Sequence, residues 1–447
     1  MPETTTTDAH VAVLAFPFSS HAAVLLSGVG RLATSAPNTL FSFFSTAQSN
    51  NSIFAATRQP NLKAYNVWDG VPEGHVFSGR HQEDIDLFME TAPQSFRKEI
   101  EVAVVETGRR VSCLVTDAFL WFGAEIAEEI RVPWIPCWTS ASTSLTSHVL
   151  TDLIRETIND CAGLAGREDE TLSFVPEMSK IRICDLPTGI LFGNLESVFH
   201  RMLHRMGQML PQAAAVFGNS FEELEPDTTN YLKTKLKSFL TIGPFNLVNP
   251  QPPVPDTFGC LSWLDKQKPA SVAYIAFGSV ATPPPAELVA LAEALETSKV
   301  PFIWVLKDSL MTLLPKGLVG NGKVLTWAPQ QKVLGHNAVG LFITHGGWNS
   351  VLESIAGGVP MICRPFFGDH SVNARMVEAV WEMGVTVKGG VFTREELLSS
   401  MDLIFVQEKG KKMRERVGAM KEAAERAVGE KGRSTQNFMA LLNLISS

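Results

Sequence analysis

The chain has 447 residues, more than one hydrophobic core usually organises, so two domains are expected. Its 45% hydrophobic and 19% charged residues describe an ordinary globular protein. With 38 basic against 46 acidic residues the net charge is -8, which argues against nucleic acid as a partner. Six cysteines, at 113, 137, 161, 184, 260 and 363, stand singly without metal-ligand spacing and read as free thiols of a reducing compartment. The opening MPETTTTDAH lacks the positive start of a signal peptide and only a short apolar run follows, so neither export nor a membrane span is read and the cytoplasm is expected.

In chain order, the apolar runs 11–16, 41–45 and 111–116 read as buried strands, with a helix over 22–33 after the first. Longer helical patterns cover 85–107 and 196–210, a polar stretch at 160–171 reads as a surface loop, and 214–219 reads as a further strand. Such alternation predicts an α/β fold with a doubly wound parallel sheet. Pro250, Pro252, Pro253 and Pro255 give 244–258 the stiff composition of a linker, separating a domain over 1–243 from one over 259–430. Beyond it the alternation restarts with a strand over 271–276, a helix over 285–298 and a strand over 301–305. Two helical stretches, 410–427 and 434–444, close the chain, the second within a terminal segment 431–447.

His21 falls just past the first strand, in a Pro-containing loop that opens a helix, and Asp117 ends the apolar run 113–116. Both therefore belong to the carboxyl edge of the sheet, where open α/β sheets bind ligands. An Asp that accepts from one imidazole nitrogen fixes the tautomer and stabilises the imidazolium while the other nitrogen takes a proton. The second half holds a nucleotide pattern: the apolar run 339–344 ends at His345-Gly346-Gly347 and a helix follows, with Asn349 or Ser350 as its cap and Glu353 completing a capping box. Strand, glycine turn and helix N-terminus aim N–H groups at an anion, so a diphosphate is expected there, with His345, Asn349, Ser350 and Ser279 of the Phe277-Gly278-Ser279 turn as added donors and no metal. A strand over 361–363 delivers Asp369 and His370 to the same edge.

Three rival signatures are weaker. Gly28-Val29-Gly30-Arg31-Leu32-Ala33 fits a dinucleotide fingerprint but lies inside a helical pattern rather than in the turn after a strand. Asp84-Ile85-Asp86 has the form of a DxD metal motif in an acidic helical segment without a flanking strand, and reads as a solvated helix start. No G-x-S-x-G elbow supports a Ser-His-Asp hydrolase.

The 44 residues from Trp327 to His370 resemble the signature box of plant UDP-sugar-dependent glycosyltransferases of secondary metabolism, through Trp-Ala-Pro-Gln, His-x-Gly-Trp-Asn-Ser, Glu and the closing Asp. Phe16-Pro17-Phe18-Ser19-Ser20-His21, Val71-Pro72-Glu73-Gly74 and Ser262-Trp263-Leu264 also resemble the flavonoid 3-O-glycosyltransferase branch, and the resemblance covers essentially the whole chain. It implies two Rossmann-like domains facing across a cleft, the GT-B arrangement, with the last helix crossing back onto the first domain. The implied reaction is an inverting, metal-independent transfer of a hexose from UDP to the 3-hydroxyl of a flavonol or anthocyanidin, with no cofactor beyond the donor substrate. His21 and Asp117 would be base and orienting acid. On the donor side Trp327 would stack on uracil, Ala328 would pair through its backbone, and Gln330 and Glu353 would hold the ribose. Trp348, Asp369 and His370 would address the sugar, with Thr139 reaching it from the first domain. Ser20, Gln82 and His148 would anchor the acceptor in a slot lined by Phe16, Phe119 and Phe122, although such phenylalanines are more often core.

Two positions depart from the family pattern: Gly346 stands where plant members usually have Cys, and His370 where glucose-using members usually have Gln. Because His is common there among galactosyltransferases, UDP-galactose is the expected donor and UDP-glucose the alternative. The partners implied are small molecules only, bound by a monomer. A flavonoid carrier without turnover is the non-enzyme alternative, but it would need neither the His21–Asp117 pair nor a complete UDP box.

Overall fold

Val11 to Ala15 and Val272 to Ala276 are buried along their whole length, the pattern of strands covered by helices on both faces of a parallel sheet. The protein is described by a computed structural model over residues 9–54, 59–80, 82–159, 166–249, 255–278, 280–315 and 318–446. It divides into two units, one of residues 1–163, 188–245 and 430–447, the other of 164–187 and 246–429.

In the first unit the strands are β1 (His10–Leu14), β2 (Leu40–Thr46), β3 (Leu62–Val67), β4 (Cys113–Asp117), β5 (Trp134–Trp138), β6 (Val216–Gly218) and β7 (Phe239–Thr241). All pairings are parallel, in the order β3-β2-β1-β4-β5-β6-β7. The order reverses between β1 and β4, and the pairing of Leu14 with Thr116 brings their carboxyl ends level. That reversal opens a crevice at the sheet edge. Helix Arg433–Ser446 also lies in this unit, where Asn437 Nδ2 donates to the Thr241 carbonyl at 3.0 Å and the Arg31 guanidinium stands 3.7 Å over the Phe438 ring.

The second unit repeats the plan with β8 (Val272–Ala276), β9 (Phe302–Val305), β10 (Gly322–Leu325), β11 (Val339–Thr344), β12 (Met361–Cys363) and β13 (Gly384–Thr386), parallel in the order β10-β9-β8-β11-β12-β13. Its reversal falls between β8 and β11, where Thr344 pairs with Ala276, so the turns after these strands emerge side by side. Residues 166–187, from the stretch assigned by sequence to the first domain, rest on helix His370–Arg375 of this unit: Arg375 Nε donates to the Lys180 carbonyl at 2.8 Å and pairs with Asp185 at 3.5 Å. The prolines at 250, 252 and 253 and residues 160–165 lie outside the described residues. Among those described, no helix is long and apolar enough to cross a membrane, and the five cysteines are free.

Candidate active site

His21 is the first residue of helix His21–Ser35, and Asp117 is the last of β4, so the switch point of the first sheet sets them face to face. The imidazole Nδ1–H donates to Asp117 Oδ2 at 2.8 Å, while Asp117 Oδ1 accepts the Phe119 N–H at 2.9 Å. With both oxygens engaged, the buried carboxylate holds one ring orientation and leaves Nε2 as the free lone pair. The His21 side chain keeps 16% of its surface exposed, enough for a hydroxyl to reach it. Thr139 Oγ1 lies 3.4 Å from Nδ1.

Apolar groups surround the pair. Phe119 and Phe16 stand 4.4 and 5.3 Å from the His21 ring, and Trp138 lies between Phe119 at 6.2 Å and His148 at 5.7 Å. Phe122 is not among them: it is fully buried, 6.0 Å from Phe96, because it opens helix Gly123–Ile130 and faces the core beneath helix Glu83–Thr107. Ser20 precedes the His21 helix, and Gln82 precedes helix Glu83–Thr107 with φ 67°, neither side chain acting as a cap. Two contributors escape sequence reasoning. Phe18 stands 5.1 Å from Phe16 and 5.6 Å from Phe88. Glu225 is buried at the head of helix Ser142–Val149, which carries His148, and accepts the Ser142 and Thr143 N–H groups at 2.8 Å each. Burial pushes its carboxyl pKa up, and the two backbone donors oppose that shift.

In the second unit helix Trp348–Gly357 starts two or three residues earlier than the capping pattern suggested. Gly347 takes the cap position with extended backbone, so Asn349 and Ser350 lie inside the first turn and the cap residue itself offers no side chain. A Cβ on Gly347 would run into the His345 ring, which folds over the turn. Glu353 forms no capping box: it accepts from Gln330 Nε2 and from Gln331 Nε2 at 3.1 Å, while Gln330 Oε1 accepts from the Tyr274 hydroxyl at 3.1 Å. This chain of bonds ties the short helix Gln330–Leu334, at the end of the loop after β10, to helix Trp348–Gly357, and burial raises the Glu353 pKa. Trp327 in that loop is 41% exposed, an open face for stacking, whereas Ala328 is buried and Trp348 is buried 6.3 Å from Trp381. Ser279 lies outside the described residues.

Asp369 and His370 open helix His370–Arg375. The His370 and His345 rings meet edge to face at 4.7 Å. Burial and the neighbouring His370 push the His345 pKa down to about 3, so it is a neutral donor rather than a cation. Burial lowers His370 as well. Its Nδ1 faces the Phe366 and Phe367 N–H groups at 3.4 Å each, which places the ring proton on Nε2. The preceding loop is anchored by Arg364, whose guanidinium grips Glu287 at 2.6 and 3.0 Å; Glu287 also accepts the Phe392 N–H at 2.9 Å. Gly346 has φ 79°, and a Cβ there would stand 3.3 Å from the His370 carbonyl oxygen, so the Cys usual at this position would press on the start of that helix.

Of the rival signatures, Gly28 lies within helix His21–Ser35, where a Cβ would meet Phe245 at 3.1 Å. Asp84 and Asp86 sit in the first turn of helix Glu83–Thr107, Asp86 paired with Arg80 at 3.2 Å. Among the described residues no group of three His, Cys, Asp or Glu is arranged to hold a metal ion.

Two Rossmann-like units, one with an imidazole–carboxylate pair at its switch point and the other with a glycine turn heading a helix, define the class of nucleotide-sugar transferases. The chain belongs to the UDP-glucoronosyl and UDP-glucosyl transferase family, whose model matches residues 46–417. It is 60% identical, over 99% of its length and 98% of the relative's, to an anthocyanidin 3-O-glucosyltransferase of Vitis vinifera. It is 52% identical, over 98% and 97%, to an anthocyanidin 3-O-galactosyltransferase of Actinidia chinensis var. chinensis. The crystal structure of a UDP-glucose:anthocyanidin 3-O-glucosyltransferase in complex with UDP matches with a TM-score of 0.94 at 44% identity, covering 99% of this chain and 100% of that one.

Proposed function

We propose that the protein transfers a hexose from a UDP-sugar to the 3-hydroxyl of a flavonol or anthocyanidin, with inversion and with UDP-galactose as the preferred donor. The observation that carries the reading is the His21–Asp117 pair at 2.8 Å within an aromatic surround. His21 Nε2 takes the proton of the acceptor hydroxyl as that oxygen attacks the anomeric carbon, and Asp117 stabilises the imidazolium that forms. The charge gathering on the departing UDP is met by the helix beginning at Trp348 and by the neutral N–H of His345. Trp327 stacks on uracil, Gln330 and Glu353 hold the ribose, and Asp369 and His370 address the sugar. Acceptor and base belong to the first unit, nucleotide and sugar to the second. On the same footing we read the protein as a cytoplasmic monomer, to be checked by cell fractionation and sedimentation velocity.

The donor assignment rests on His370. Its Nδ1 is taken by backbone donors, so it offers a single N–H where a Gln amide would offer a donor and an acceptor to two neighbouring equatorial hydroxyls. Galactose and glucose differ at carbon 4 alone, and one hydrogen bond is worth about 0.5 to 1.5 kcal/mol, or roughly tenfold in rate. The second reading, UDP-glucose, draws on the relatives and the UDP complex whose names specify that donor. A matrix of both donors against a flavonol and an anthocyanidin, with the product position determined, tests all three parts. His370→Gln is expected to move the galactose-to-glucose ratio of kcat/KM toward glucose by roughly tenfold. A wild type that prefers UDP-glucose rejects the galactose reading, and either that result or a ratio that does not move shows that His370 is not the selector.

A further inference from the structure

Asn373 lies three residues after His370 on the same helix and is fully buried. Its amide nitrogen donates in two directions: to the carbonyl of Gly346 at 3.0 Å and to Asp369 Oδ2 at 2.8 Å. Since both partners are acceptors, the NH2 group must face them, which fixes the amide orientation. The amide oxygen is buried and has no hydrogen-bond partner among the described residues. A buried polar side chain left half satisfied is costly, so its placement calls for a role.

We propose that Asn373 is a positioning residue that ties the glycine turn at the head of the diphosphate helix to the carboxylate addressing the sugar. The inference rests on the reading of Asp369 as a sugar ligand. By holding Oδ2, Asn373 fixes the Asp369 rotamer. Through the carbonyl of Gly346, a residue in the left-handed region, it holds the turn from which helix Trp348–Gly357 departs. The two ends of the donor are thus oriented from one side chain that touches neither. Only a primary amide supplies two N–H groups from one nitrogen in this space; Asp or a hydrophobe supplies none at neutral pH.

The test compares Asn373→Ala, Asp369→Ala and the double variant by kcat/KM for the UDP-sugar and by inhibition with UDP alone, which lacks the sugar. Asn373→Ala is expected to weaken UDP inhibition severalfold through the Gly346 bond, and to lower kcat/KM by roughly a further tenfold through Asp369. In the Asp369→Ala background that further loss should vanish, because the side chain through which it acts is gone. If Asp369→Ala leaves kcat/KM unchanged, the sugar-ligand reading falls and the inference with it. Should Asp369→Ala lower the rate while Asn373→Ala does nothing, or while the two losses multiply, the inference alone is overturned. Asn373→Asp guards against misfolding of the alanine variant. It sets two carboxylates side by side, one of which is forced to keep its proton to higher pH. Its rate should recover as pH is lowered, relative to wild type, as a carboxyl O–H replaces one lost donor; a pH profile parallel to wild type overturns the inference.

Discussion

The role proposed for His21 asks one imidazole both to receive a proton and to keep its orientation, and the 2.8 Å bond to Asp117 separates these tasks between its two nitrogens. His21→Ala is expected to lower kcat by roughly a hundredfold or more while UDP inhibition stays within about twofold, because the residues proposed to hold the nucleotide belong to the other unit. Asp117→Asn retains an acceptor for Nδ1–H but loses the charge that stabilises the imidazolium, so a smaller loss, roughly tenfold, is expected. Steady-state kinetics on both variants decides this, and a His21→Ala enzyme with half the normal rate would refute the base assignment. The pair was legible in sequence because Asp117 ends a strand-like run and His21 follows another in the loop that opens a helix, and both positions share the carboxyl edge of the sheet. Glu225, Glu287 and Asn373 were not. Glu225 meets Ser142 across 83 positions and Glu287 meets Arg364 across 77, and in one sequence a lone Glu carries no mark of so distant a partner.

Among the elements, short predominantly apolar runs read as strands, and misses such as β3 and β5 have local causes. β3 reads LKAYNV, an edge strand interrupted by exposed Lys63 and Asn66, and β5 reads WIPCW, where Pro136 argues against a strand in mid-sheet. The five-residue span of β5 between β4 and β6 survives because fully buried Ile135 and Cys137 pack there. The helix after β11 was found but its cap was misplaced, since Gly347 competes with Ser and Asn for that role and His345 tolerates only Gly beside its ring. Helix Ser142–Val149 is a different case: its head is closed by a carboxylate from far along the chain rather than by a residue of its own. Glu225→Ala should leave two buried N–H groups without an acceptor and destabilise the protein by about 2 to 4 kcal/mol. Glu225→Gln, with one amide oxygen still able to accept, should cost less. Urea denaturation of both variants measures the difference, and equal midpoints for Glu225→Ala and wild type would show that the cap contributes nothing.

For the molecule as a whole, the proposal of neutral donors at the diphosphate predicts turnover independent of added divalent metal, so rates with excess EDTA and with magnesium should agree; a rate abolished by EDTA and restored by metal would count against the reading. The same chemistry sets a pH dependence of stability. His345 titrates near its ordinary value of about 6.5 in the unfolded chain but only at about 3 in the fold. Between those values the unfolded state binds more protons, so the contribution of His345 is intact above about pH 6.5 and is lost as pH falls toward 3. From pH 7 to pH 5 this amounts to at most about 2 kcal/mol, since the ring keeps some contact with water. His370 and His10, also lowered by burial, add in the same direction. Buried Glu225 and half-buried Glu353 act oppositely: their raised pKa values mean stability is lost as pH rises through them. Comparing wild type with His345→Gln at each pH cancels those carboxylates, because they are common to both proteins. Chemical denaturation without UDP should then show the wild type losing more stability than His345→Gln between pH 7 and pH 5. Parallel curves for the two proteins would mean that His345 takes up its proton in the fold as readily as in water, and a cationic His345 would then have to replace the neutral donor assigned to the diphosphate.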